Sequence, residues 1–141
     1  MGSLRLAGIR KSFGPVDVLR GIDLEVTDGE FVIIVGPSGC GKSTLLRVIA
    51  GLEDATAGSV GIDGEEMRHK PPAQRGIAMV FQTYALYPHL DVRDNMALGL
   101  KQSKHPKDEI ARRIAAATKM LSLESYLERR PAELSGGQRQ R

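Results

Sequence analysis

The sequence predicts an α/β fold with a small antiparallel β region and an inserted helical subdomain. Three observations carry that expectation. Phe31-Val-Ile-Ile-Val35 is apolar without alternation, as in a strand covered on both faces, and it runs straight into a glycine-rich turn and an amphipathic helix. Ahead of it, Ile22, Leu24 and Val26 alternate with Asp23 and Glu25, the period of a half-buried strand. Beyond residue 90 the apolar spacing becomes helical.

Taken in order, Leu4, Leu6 and Ile9 predict a first strand that loses its phase near Gly8, and Ile22 to Val26 a second. Asp28-Gly29 reads as a hairpin turn into the strand Phe31–Val35. After the glycine-rich turn, Leu45, Leu46, Val48, Ile49 and Leu52 give a helix over 44–52 that ends near Gly51. Val60, Ile62 and Asp63-Gly64 mark a short strand and turn, and Pro71-Pro72 a break. Ile77 to Phe81 reads as a second uniformly apolar strand ending at Gln82. Val92, Met96 and Leu100, then Ile110, Ile114, Ala117 and Leu121, predict two helices. The second follows Pro106 and carries Asp108 and Glu109 in its first turn, where the helix dipole favours acids. The expected division is an α/β core with its β region over 1–89 and a helical subdomain over 90–141.

Composition narrows the class. With 141 residues, 41% hydrophobic and 26% charged, the chain is long enough for a real core. A net charge of +3 suits an anionic ligand. Aromatics make up only 4%, with no Trp and no basic run interleaved with them, so nucleic acid is not the expected partner. Cys40 is the single cysteine, which excludes an internal disulfide, points to a reducing compartment, and reads as a small filler residue. No apolar run approaches the ~20 residues of a membrane span, so any membrane contact is expected through a partner. His69, His89 and His105 are scattered without metal-ligand spacing.

Residues 36 to 44, Gly-Pro-Ser-Gly-Cys-Gly-Lys-Ser-Thr, match G-x-x-x-x-G-K-S in the strand-to-helix setting that pattern requires. Gly36, Gly39 and Gly41 permit backbone conformations and a close approach that a Cβ would forbid. With Pro37, Ser38 and Cys40 they form a loop whose successive N–H groups can cradle an anion at a helix start. Lys42 would reach the β- and γ-phosphates, the Ser43 hydroxyl would ligate Mg²⁺, and Thr44 would add a phosphate contact. ATP with Mg²⁺ is the expected ligand. Later, Ser135 and Gln138 fit an S-x-x-Q capping box, so a helix should begin at 135 with free N–H groups able to face an anion.

Gly36 to Thr44, Gln82 after its apolar strand, and Leu134-Ser-Gly-Gly-Gln138 together resemble the ATP-binding cassette (ABC) ATPases, in order and in approximate spacing, over essentially the whole chain. The resemblance implies a P-loop nucleotide-hydrolase core and a head-to-tail pair of subunits. Ser135, Gly136, Gly137 and Gln138 would then serve the nucleotide held by the partner's loop. It makes Gln82 the glutamine that contacts Mg²⁺ and the attacking water and senses the transmembrane partner, so that Gln82 and Lys42 are the expected catalytic residues. Phe13, within Lys11-Ser-Phe-Gly14, takes the place of the aromatic that stacks on adenine, a core Phe being the rival reading.

The stretch 76–90 and the run Arg130 to Arg141 look like bacterial importers of carbohydrate and glycerol phosphate, with related versions in polyamine and ferric-ion importers. Implied partners are a second ATPase subunit, permease subunits and, indirectly, a solute-binding protein, at the cytoplasmic face of the membrane. In the family an apolar strand ending in Asp-Glu and then a switch His follow the signature helix. Here no Asp or Glu follows Glu133, so the fold is expected to be incomplete at its C-terminus and the 141-residue chain non-hydrolytic. The alternatives are a non-hydrolytic nucleotide-binding module and a soluble cassette protein of translation or DNA repair.

Overall fold

Two long strands joined at Gly14-Pro15 build the first half of the chain: β1 (Leu4–Phe13) and β2 (Val16–Val26). In this computed structural model, which describes residues 2–141, β3 (Ala57–Ile62) and β4 (Glu65–Glu66) complete an antiparallel sheet of order β2-β1-β3-β4. The phase loss expected near Gly8 is a β-bulge. Leu6 pairs with Leu24 and Ile9 with Ile22, so two residues of β1 oppose Asp23 alone, whose Oδ1 accepts the Gly8 N–H at 2.7 Å. Because faces alternate every residue, Leu6 and Ile9 would otherwise point to opposite sides. The extra residue lets both bury in one core.

That core consists of Leu6, Ile9 and Leu19 from the strand pair, Val60, Ile62 and Met67 from the β3–β4 region, and Leu45 and Val48 from α1 (Lys42–Ala50). Of the helix residues expected to be apolar-facing, Leu46 and Leu52 are instead exposed, leaving Leu45 and Val48 as the packed stripe and Ile49 beside it. At its far end α1 stops at Gly51, with the Gly51 N–H donating to Val48 O and the Leu52 N–H to Arg47 O.

One buried charge locks that end. Arg75 is 6% exposed; its Nη1 donates to Val48 O at 3.0 Å and Ile49 O at 2.9 Å, and its Nε to Lys70 O at 3.0 Å. A guanidinium on the last carbonyls of a helix satisfies orphan acceptors and opposes the negative dipole end. Burial lowers its pKa from the ordinary arginine value, partly offset by Asp54 and Glu66. Gly51 leaves the space this side chain occupies, since a Cβ there would overlap the guanidinium.

Two expected strands are not formed. Residues 31–35 and 77–81 lie outside the sheet and pair with no strand among the described residues, and the hairpin expected at Asp28-Gly29 is a turn without a second arm. Phe31 is 87% exposed, Val35 83% and Val80 91%. The physical reason is that a strand covered on both faces takes its stability from hydrogen-bonded neighbours and flanking layers, and local sequence supplies neither.

The chain divides at residue 79/80 into two compact units, Met1–Met79 and Val80–Arg141. In the second, α2 (Val92–Gln102) and α3 (Lys107–Leu121) pack through Ala97, Ile110 and Ile114, with Met96, Leu100 and Leu127 beside them. Asp91 caps α2 by accepting the Asp94 N–H. Thr118, fully buried in α3, turns its hydroxyl back onto Ile114 O and Ala115 O, so no polar atom is stranded. A five-residue helix, α4 (Gly136–Gln140), ends the chain. No helix among the described residues is long and apolar enough to cross a membrane.

Replacing Arg75 by Met keeps the bulk but removes the donor to Ile49 O and Lys70 O, leaving Val48 O its Gly51 N–H. The expected result is a loss of about 2 kcal/mol of unfolding free energy, read from urea denaturation of the chain.

Candidate functional site

The glycine-rich loop is shaped by its own backbone and by β2. A turn closes between the Cys40 N–H and Pro37 O at 3.4 Å, and Gly41, at φ 99°, forms the N-terminal boundary of α1. A Cβ on Gly41 would lie 3.0 Å from Leu19 and 3.1 Å from Val18, so the helix start sits directly on β2. A Cβ on Gly36 would meet the Cys40 sulfur at 2.9 Å. Cys40 is exposed and fills the inner curve of the loop.

Lys42 bends back over this loop. Its Nζ donates to Gly36 O at 2.8 Å and Pro37 O at 2.7 Å and lies 3.6 Å from the Cys40 sulfur. No side chain caps the start of α1 and its first turn contains no acidic residue, so the positive end of the helix is not neutralised by the protein. Ser43 is exposed and Thr44 half-buried, both in that first turn, while Pro37, Ser38 and Gly39 form the exposed outer rim. The uncapped positive end of α1 and the Lys42 ammonium thus lie together at one exposed loop. Such a donor set fits a phosphate group and repels a cation.

Phe13 lies on the same strand pair. It ends β1 opposite Val16, 47% exposed, and the hairpin end is clasped by a Ser12 Oγ to Asp17 Oδ1 hydrogen bond of 2.6 Å. Val18, which touches the Gly41 position, is two residues along β2 from Val16. Phe13 and the loop thus both border β2, within the first unit.

Gln82 and the residues 135–138 belong to the second unit. Gln82 is exposed and opens a turn in which Tyr84 and Ala85 take φ of 63° and 50°, a left-handed conformation rare for residues with a Cβ. The loop that follows is organised by Asn95, whose Nδ2 donates to Tyr87 O, Leu90 O and Asp91 O and whose Oδ1 accepts the Tyr87 N–H. The expected capping box is present at α4: Ser135 Oγ accepts the Gln138 N–H at 3.2 Å and Gln138 Oε1 the Ser135 N–H at 2.8 Å. Leu134 is buried behind it, while Gly136 and Gly137 are exposed and face open space where a Cβ would stand. Among the described residues, no packing requires glycine at either position.

Sequence reasoning passed over Arg75, Val18 and Asn95. Arg75 and Asn95 offered no signal beyond a polar residue near a glycine or within a helix, because their partners are set by tertiary structure. Val18 offered only its β-branched side chain, because it lies at a register shift of β2 outside the alternating stretch Ile22 to Val26.

A family model described as "ABC transporter" matches residues 19–141. The chain is 61% identical over its full length to the alpha-glucoside transport ATP-binding protein AglK of Rhizobium meliloti (strain 1021), covering 39% of that protein. It is 58% identical, again over its full length, to the sn-glycerol-3-phosphate import ATP-binding protein UgpC of Brucella abortus (strain 2308), covering 40% of it. The chain therefore spans about two fifths of the length of these curated relatives. Among solved structures, it resembles the dimeric post-hydrolysis state of the ATP-binding cassette MJ0796 bound to ADP and Pi. That match has a TM-score of 0.86 at 33% identity, over 96% of this chain and 65% of the other. The expected α/β cassette fold is thereby shown, although residues 31–35 and 77–81 do not join the sheet.

Alanine at Gly39 and at Gly41 separates backbone strain from contact. Each carries positive φ, but only Gly41 has β2 side chains against it. Gly39→Ala should cost about 1 kcal/mol of unfolding free energy and Gly41→Ala roughly twice that, compared by urea denaturation.

Proposed function

The chain belongs to the ABC transporter family, and from that premise we propose that it is the nucleotide-holding part of an importer's ATPase subunit. The observation that carries this reading is Lys42 drawn over its loop by two carbonyls at the uncapped start of α1. Gly36, Pro37, Ser38, Gly39, Cys40 and Gly41 shape the cradle for the phosphates of ATP. Lys42 carries the charge to the β- and γ-phosphates, and Thr44 adds a hydroxyl. Phe13 offers the exposed ring for adenine. Ser43 would hold Mg²⁺, whose charge neutralises the phosphates and polarises them for attack.

Residues 135–138 act in trans in this proposal. Two subunits pair head to tail, and Ser135, Gly136, Gly137 and Gln138 of one complete the phosphate site of the other. Two things support it: the dimeric cassette that the chain resembles, and a glycine pair that internal packing does not explain. The names of the relatives support uptake of a sugar or glycerol phosphate. The subunit would sit at the cytoplasmic face of the membrane, held by permease subunits through the Gln82 turn and the loop that Asn95 organises, with a solute-binding protein acting indirectly. The core and helical regions of that subunit divide near residue 89.

Calorimetric titration tests the site. The chain should bind Mg-ATP, and Lys42→Ala should weaken binding by at least tenfold with its melting temperature unchanged within a few degrees. Equal affinity in Lys42→Ala would remove the proposal. Gly137→Ala tests the trans role: helix stability should rise by about 0.5 kcal/mol or stay level, while ATP-dependent pairing of the full-length subunit, followed by light scattering, is lost.

A further inference from the structure

Lys11 is not explained by the phosphate site, nor is it an ordinary surface lysine. Its side chain is only 12% exposed, its Nζ meets Glu53 Oε1 at 2.6 Å, and the same ammonium stands 4.7 Å from the centroid of the Phe13 ring. Lys11 and Phe13 are two apart on β1. Glu53 is held in turn, because the segment that carries it is tied to β1 by the Thr56 N–H on Arg10 O at 2.8 Å and by the Ser12 N–H on Thr56 Oγ1 at 3.1 Å. The ammonium is therefore fixed over one face of a ring that is otherwise half exposed.

We propose that Lys11 is a positioning residue for the nucleotide base, closing one face of Phe13 and conditioning the other for stacking by adenine. The inference rests on reading Phe13 as the adenine platform. A cation over an aromatic face draws the π electrons toward itself. The opposite face becomes less negative, which reduces the repulsion that works against parallel stacking of a second electron-rich ring. Closing one face also leaves the base a single side on which to stack. Glu53 keeps the cation in place and limits its reach toward the phosphates.

The test compares Mg-ATP with magnesium tripolyphosphate, which has the charge but no base, by calorimetric titration of the chain. Lys11→Met should raise the ATP dissociation constant about three- to fivefold and leave that of tripolyphosphate unchanged, while Lys11→Arg restores ATP binding to within twofold. In a Phe13→Leu background, Lys11→Met should add nothing. Equal losses for both ligands would mean that Lys11 acts on the phosphates, and an unchanged ATP affinity or a loss that persists without the ring would equally overturn the proposal. If Lys11→Met does not fold, Glu53→Gln frees the ammonium without removing it. It should weaken ATP alone, and no selective loss there overturns the idea. The adenine reading has its own arm: Phe13→Leu with undiminished ATP affinity sinks that reading, whatever Lys11 does.

Discussion

A helix can offer its first N–H groups to an anion only if something other than the anion fixes its axis, because the dipole attraction is worth about 1 kcal/mol and fades within one turn. In this chain α1 is fixed at both ends. Val18 and Leu19 of β2 abut its N-terminal boundary, and the Arg75 guanidinium binds the carbonyls of Val48 and Ile49 at the other. Between them Leu45 and Val48 bury against Leu6, Ile9 and Leu19. The glycine-rich loop inherits its shape from this arrangement, and Lys42 has the loop's own carbonyls to hold it in place.

The strand pair that supports the helix also positions the aromatic end. A regular β1 would turn Leu6 and Ile9 to opposite faces, and the bulge at Gly8 corrects the mismatch while keeping the strand paired to Phe13. The same sheet therefore does two things: it closes the core beneath α1, and it carries Phe13, backed by Lys11, at the end of its hairpin. Preorganisation of this kind lowers the ordering cost of binding, since few side chains remain to be immobilised when a ligand arrives.

The second unit follows a different logic. Its buried set is small, and much of its order comes from polar devices: the Asp91 cap, the fourfold bonding of Asn95, the Thr118 back-bond and the box at Ser135. These hold loops and helix starts in set conformations without much apolar burial. Gly136 and Gly137 open α4 behind the Ser135 box, with open space where a Cβ would stand. Tyr84 and Ala85, both left-handed, mark the Gln82 turn as another place where conformation is imposed by something beyond local preference.

By itself the sequence determined what depends on neighbours a few positions away. The glycine pattern ending in Lys42-Ser43, the stop at Gly51, the starts of α2, α3 and α4 and the S-x-x-Q box are all local hydrogen-bonding or backbone preferences, and each was legible. Tertiary structure alone decided which groups meet across long separations. Arg75 reaches a carbonyl 27 positions away, Lys11 finds Glu53 after the whole of β2 and α1, and Asp23 fills the gap that the Gly8 bulge opens. It also decided the state of 31–35 and 77–81, where apolar composition promised strands. A helix carries its backbone partners within itself, whereas a strand must find them in another segment, so apolarity alone cannot place a residue in a sheet.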